Sequence, residues 1–253
     1  MSLCITITTP EGIVAASDSR ANTKYADMVC YNDDSYKVIV MNDVIISHLG
    51  NLYINDHTDI RIQQLLEVLK EKYKNRKISV HKWPELILKE VEAAELNDNF
   101  RIYKGEKLGK VTEASAVYFT IAGYSSDKSE KDIPFIYIVD TYNKNVERIL
   151  PDNERKKIYG IVQDGAPARY IKFLNGTKIL AYKFNLKRAI DYARLVVTTD
   201  IEFNKFYTSE KQSVGGTCRI YAIDRIHGIA GSVDESGKIV PDPEVKTSKR
   251  KIV

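Results

Sequence analysis

Apolar and polar residues alternate at the start of the chain, with Leu3, Ile5 and Ile7 on one face and Ser2, Cys4, Thr6 and Thr8 on the other, which predicts a strand. Pro10-Glu11-Gly12 supplies a reversal, read as a three-residue loop with a left-handed glycine, and a second apolar strand runs on to Asp18. An odd-length loop keeps face parity, so Ser2, Asp18 and Arg20 are expected on one side of this hairpin. Residues 21–35 are polar and rich in turn formers and read as a loop. Short strands at 38–40 and 44–46 flank Asn42-Asp43, and Gly50 closes that second hairpin. The period then changes. Ile62, Leu65, Leu66 and Leu69 recur at helical spacing within 53–73, and Leu86, Leu88, Val91 and Ala94 give an apolar side to a second helix over 79–94, with Ser79 as N-cap.

Residues 95–113 are polar again and predict a surface loop. Strands are expected at 114–122, 135–140, 146–150 and 158–162, then a short helix at 167–174 and a long one at 186–207. The β-branched run Val196-Val197-Thr198-Thr199 works against that last helix. Strands at 217–223 and 229–231 complete the folded part, giving one domain over 1–237 and a charged, solvated tail over 238–253. Strands, paired helices, strands and a helix again make an α+β order.

Composition narrows the classes of function. The 253 residues are 43% hydrophobic and 28% charged, enough for a sizeable core under an ordinary surface, and no Pro/Gly/Ser-rich linker divides them. The net charge of +4 is spread along the chain rather than gathered into a stripe, which argues against nucleic acid as a partner. There is no signal-like segment and no apolar run long enough to span a bilayer, so no membrane association is expected. Cys4, Cys30 and Cys218 lack metal-ligand spacing and leave an odd thiol, which points to a reducing, cytoplasmic compartment. His48, His57, His81 and His227 are scattered, and neither a metal site nor a phosphate-binding glycine loop is present in the pattern, so no cofactor is expected.

The chemistry begins at the second residue. The initiator Met is expected to be trimmed before a side chain as small as Ser, leaving Ser2 with a hydroxyl and a free α-amine. Such an amine, with a reference pKa of ~7.7–8.0, can take the hydroxyl proton near neutral pH. The alternative at this point is an ordinary strand start. Cys4 would be a nucleophile only if two further residues were removed.

Gly12-Ile-Val-Ala-Ala-Ser-Asp18-Ser-Arg20 resembles the Gly-Val-Val-x-Ala-x-Asp-Ser-Arg signature of proteasome β-type subunits, which are N-terminal nucleophile hydrolases. In that family the nucleophile lies sixteen residues before the signature Asp, which here is Ser2. Tyr36-Lys37-Val38-Ile39 resembles the family's Lys-Val strand, and Ser47-His48-Leu49-Gly50-Asn51-Leu52 its oxyanion segment. Asp18-Ser-Arg-Ala-Asn22, Gly50-Asn51-Leu52 and the Met-Ser-x-Cys start are most similar to the bacterial ancestral β subunits, Anbu. Ile121-Ala-Gly-Tyr124, Ile136-Tyr-Ile-Val-Asp140 and Val214-Gly-Gly216 follow in family order.

The resemblance implies a four-layer αββα sandwich of two antiparallel sheets flanked by helices, and hydrolysis of peptide or related amide bonds. It implies Ser2 as nucleophile, Lys37 beside the amine, Asp18 holding Lys37, the Gly50 N–H at the oxyanion and Arg20 in support. It also implies self-association into a ring or helical stack that acts on peptide or protein substrates. The C-terminal half departs from the pattern. Asp164 stands where a Ser is expected, and Ser213 is the remaining candidate for a supporting hydroxyl before Gly215-Gly216. These departures leave open a second reading, a catalytically silent scaffold or assembly subunit.

Overall fold

The computed structural model describes residues 3–25, 28–50, 62–96, 117–153, 157–165, 179–206 and 214–243. Strands β1 (Leu3–Thr8) and β2 (Gly12–Asp18) are buried along their whole length and pair antiparallel, with Cys4 opposite Ser17 and Thr8 opposite Ile13. The Thr9 hydroxyl accepts the Glu11 and Gly12 amides at 3.2 and 3.1 Å, and Thr9 N donates to the Gly12 carbonyl at 2.8 Å. Only Pro10 and Glu11 therefore form the tip, which corrects the expected three-residue loop to two. Gly12 is not left-handed; a Cβ there would run into the carbonyl oxygen of Ile223 on the neighbouring strand. The even loop also corrects the expected parity: Asp18 shares its face with Val14 and Ala16, not with Cys4 and Ser17.

The expected loop after Arg20 contains a ribbon, β3 (Ala21–Tyr25) with β4 (Met28–Asn32), paired antiparallel. Its residues lack the apolar alternation that would have announced it. β5 (Val38–Met41) and β6 (Val44–Gly50) turn about Asn42, which takes φ of 53°. Helix α1 (Ile62–Tyr73) follows; the first part of the helix expected from 53 lies outside the described residues. Ser79 makes no capping bond: a 3-10 turn, Val80–Lys82, intervenes before α2 (Trp83–Leu96), which places Pro84 in its first turn.

β7 (Val117–Tyr124), β8 (Pro134–Asp140) and β9 (Asn145–Leu150) extend the second hairpin into a five-stranded antiparallel sheet of order β5-β6-β7-β8-β9. β10 (Ile161–Gly165) begins three residues later than expected, because the Gly160 amide is held by the Thr8 hydroxyl at 2.9 Å and pairing with β1 starts beyond it. The helix expected at 167–174 lies outside the described residues. After α3 (Leu186–Lys205) come β11 (Cys218–Asp224), β12 (Ile229–Val233) and β13 (Ile239–Pro241). The second sheet, also antiparallel, has the order β10-β1-β2-β11-β12-β13. Its last strand lies within the stretch read as a solvated tail, and it pairs Gly231 with Pro241 and Val233 with Ile239.

Three apolar clusters hold these elements. Trp83, Ile87, Leu66 and Leu69 of the first two helices pack on Ile46, Phe119 and Ile121 of the five-stranded sheet. Ala189, Ala193, Val196 and Val197 of α3 pack on Leu3, Ile5, Val14 and Ala16 of the six-stranded sheet. Ile13, Ala15 and Ile223 of the latter meet Val38, Val40, Ile45 and Ala122 of the former. Fully burying an aliphatic side chain contributes about 1.5–3 kcal/mol, so the packing of Val196 and Val197 outweighs the few tenths that their helix propensity costs.

Candidate active site

Asp18 ends β2 and Lys37 immediately precedes β5. Their side chains are 0% and 3% exposed, and Lys37 Nζ donates to Asp18 Oδ1 at 2.7 Å. Lys37 is seated by its own carbonyl, which accepts the His48 amide at 2.9 Å and so begins the β5–β6 ladder. The same Asp18 oxygen accepts the Leu3 amide at 2.9 Å. Asp18 Oδ2 accepts the amides of Gly215 at 3.1 Å and Arg20 at 3.3 Å. Four donors from separate stretches thus converge on one carboxylate at the first described residue of the chain. An ion pair this deep is tolerated because the remaining lone pairs are also satisfied.

The Arg20 side chain turns away from this pair. It forms a fork on Asp33, Nε to Oδ1 at 2.5 Å and Nη2 to Oδ2 at 2.7 Å, and its hydrogen bonds hold the Asp33 carboxyl below the usual range. A Cβ on Gly215 would collide with the Arg20 guanidinium, so glycine is what lets the two approach. Ser19 adds a second tie: its hydroxyl donates to the Asp33 carbonyl and accepts the Thr217 amide at 2.8 Å. Arg20 therefore braces the turns around Asp18. Gly50 lies exposed at the end of β6 with φ of 102°, two residues beyond His48. Among the described residues no hydrogen bond joins it to Asp18 or Lys37.

Asp164 lies on β10 directly opposite Cys4 in register, and it accepts a hydrogen bond from the Thr120 hydroxyl of β7. Burial raises its carboxyl above the usual range, and the Thr120 bond opposes that shift. Cys4 is enclosed beside it. Its thiol donates to the His48 carbonyl at 3.7 Å, and burial pushes its pKa far up, so it stays protonated and is a poor nucleophile. His48 is also buried, and desolvation, with the nearby Lys37 charge, lowers its pKa to about 4, which keeps the imidazole neutral. Ser2 and Ser213 lie outside the described residues.

The structure thus brings together Asp18 and Lys37 and sets Asp164 one strand away. Two contributors went unread in the sequence. The Gly215 amide on Asp18 was hidden because a backbone donor has no residue signature, although the Gly215-Gly216 pair marked the place. Thr120 was hidden because its partner is on the other sheet. A cleft of about 640 Å³ opens between β5, α1 and the edge of the six-stranded sheet, lined by Val38, Leu66, Lys70, Arg219, Val233 and Asp242, and neither Asp18 nor Lys37 is in its lining. Cys218 is the register partner of Asp18. Among the described residues no group of three or more His, Cys, Asp or Glu side chains could hold a metal ion, and no helix is long and apolar enough to cross a membrane.

No protein-family model matches the chain, and no curated protein does. Solved structures of similar fold include those of Anbu, the ancestral β-subunit. Anbu from Yersinia bercovieri is 14% identical, covers 87% of this chain and 80% of its own, and superposes with a TM-score of 0.57. The Gly-1 mutant of Anbu from Hyphomicrobium sp. strain MC1 is 13% identical, covers 88% and 82%, and gives a TM-score of 0.56. The chain shares the fold of these proteasome-like proteins.

Proposed function

We propose that the chain is an N-terminal nucleophile hydrolase in which Ser2, freed of Met1, cleaves peptide or related amide bonds. The observation that carries the reading is the hydrogen bond from the Leu3 amide to the Asp18 oxygen that also holds Lys37 Nζ. The Leu3 nitrogen is bonded to the carbonyl carbon of Ser2, so the pair stands about two bonds from the residue whose amine and hydroxyl would react. The three apolar clusters support a four-layer αββα sandwich, with α1 and α2 on one outer face and α3 on the other.

In this mechanism Ser2 Oγ attacks the substrate carbonyl carbon and its proton passes to the α-amine. The Lys37 ammonium keeps that amine basic but unprotonated by like-charge repulsion, and Asp18 fixes Lys37. The Gly50 amide receives the oxyanion. The C–N bond then breaks, the departing amine takes the proton, and water releases the acyl group from Oγ by the same route. Assembly into a homo-oligomer, with cytoplasmic location, completes the proposal.

The experiment is intact mass of the purified chain before and after a fluorophosphonate, in which the Oγ–P bond forms and fluoride departs. The expected result is loss of Met1 and one adduct, absent from Ser2→Ala. Retention of Met1 with no adduct would favour the second reading, a silent scaffold. That reading draws on the same carboxylate, whose four donors would serve equally as a purely structural lock.

A further inference from the structure

Away from Asp18 and Lys37, three polar side chains from separate elements meet where the 3-10 turn before α2 reaches the five-stranded sheet. His81 of that turn lies between Glu130, from the loop joining β7 to β8, and Tyr137 of β8. Its Nε2 stands 3.0 Å from Glu130 Oε2 and its Nδ1 2.6 Å from the Tyr137 hydroxyl. A carboxylate only accepts, so in the neutral ring Nε2 carries the proton and the bare Nδ1 accepts the Tyr137 O–H. The parts are held in place. The Phe135 ring meets the imidazole edge-on with centroids 4.4 Å apart, and the Glu130 amide donates to the Asp127 carbonyl at 3.2 Å. Arg148, exposed on β9, is the register partner of Tyr137, and its charge reaches the phenol.

We propose that Glu130, His81 and Tyr137 form a relay that makes Tyr137 an acyl acceptor, a modification site for activated esters and thioesters. The inference does not depend on the nucleophile reading above. A nucleophile hydrogen-bonded to a base, with a third group orienting that base, is the arrangement that activates a hydroxyl. Burial raises the Tyr137 phenol above its ordinary range; Arg148 opposes that shift and Glu130 adds to it. Free phenolate is therefore scarce at neutral pH, and the proton leaves to Nδ1 as the new bond forms. Tyr137 Oη attacks the carbonyl carbon, the bond from that carbon to the departing oxygen or sulfur breaks, and Nδ1 passes the proton on to the departing atom. Glu130 stabilises the imidazolium in between, and Arg148 the negative charge on the carbonyl oxygen. The product is an ester on Tyr137.

A clasp that only ties the turn to the sheet would use the same bonds, but phenol reactivity would then follow exposure. Tyr142 and Tyr182 are 42% and 54% exposed, whereas Tyr137 is partly buried against the helices. The two exposed phenols are thus internal controls.

The test exposes the full chain to p-nitrophenyl acetate and follows acetylation of Tyr137, Tyr142 and Tyr182 over time by peptide mass spectrometry. General-base proton transfer contributes about 10²–10⁴ in rate, and burial takes back part of it, so Tyr137 is expected to react about tenfold faster than either control. His81→Gln, which can still hydrogen-bond the phenol but cannot take its proton, is expected to abolish that lead and leave the controls unchanged. Glu130→Gln, a change at an exposed carboxylate, is expected to reduce it several-fold, and it serves if His81→Gln does not fold. Labelling of Tyr137 no faster than Tyr142 and Tyr182 in the wild type would overturn the proposal in favour of the clasp. A lead that survives His81→Gln, or Glu130→Gln where that variant stands in, would overturn the relay. Neither result bears on Ser2, whose reading is tested by its own adduct.

Discussion

Asp18 and Lys37 stabilise each other only as a pair. Replacing Asp18 by Asn leaves an ammonium 3% exposed with no counter-charge, and a loss of about 3–5 kcal/mol is expected in urea unfolding. Lys37→Met removes the cation instead; the fluorophosphonate adduct on Ser2 is expected to disappear at neutral pH and to return only as the amine is titrated at higher pH. His48 governs a different response. Its folded pKa of about 4 lies below the model-peptide value of 6.5, so the unfolded chain binds the extra proton between those values. The neutral imidazole therefore contributes stability above pH 6.5 that is lost as pH falls toward 4. Thermal melts across that window are expected to show a drop that His48→Gln flattens.

At the scale of elements, the hydrophobic pattern announced every strand that has one apolar face, and the α3 helix despite its β-branched run. It could not announce β3 and β4, where Ala-Asn-Thr-Lys-Tyr faces the unbroken run Met-Val-Cys-Tyr with no period-two alternation, or β13, three residues added to the edge of a sheet. Turn length was misread for a similar reason: the Thr9 hydroxyl closes the first hairpin, and a side chain that caps its own turn looks like any other strand residue. At the head of α3 the side chain of Asn185 accepts the Arg188 amide at 2.8 Å. Asn185→Ala is expected to cost about 1 kcal/mol, measured as a lower urea midpoint at unchanged slope.

Over the whole molecule, the ends of the two sheets are joined where Asp18 meets Lys37 and where Asp164 meets Thr120. The first junction was legible, because Asp18 and Lys37 stand in short motifs at characteristic distances from the start of the chain. The second was not, since nothing in the spacing of residues 120 and 164 reveals that their strands face each other across the sheet interface. A third tie lies at the other end of β11, where Arg225 is buried with Nη2 on the Lys131 carbonyl at 2.6 Å and its guanidinium over the Tyr124 ring at 4.5 Å. Arg225→Ala is expected to lower stability by about 2–4 kcal/mol through lost packing and an orphaned carbonyl, seen as a reduced melting temperature with the Ser2 adduct still formed.

The bond from Gly215 to Asp18 links positions 197 residues apart. The single tryptophan, Trp83, sits instead among helices and strands joined by shorter loops. Loop closure is slower for distant partners, so on dilution from denaturant the tryptophan signal should recover first and reactivity toward the fluorophosphonate only later. The carboxylate near the origin of the chain is thus expected to be, in time, among the last pieces put in place.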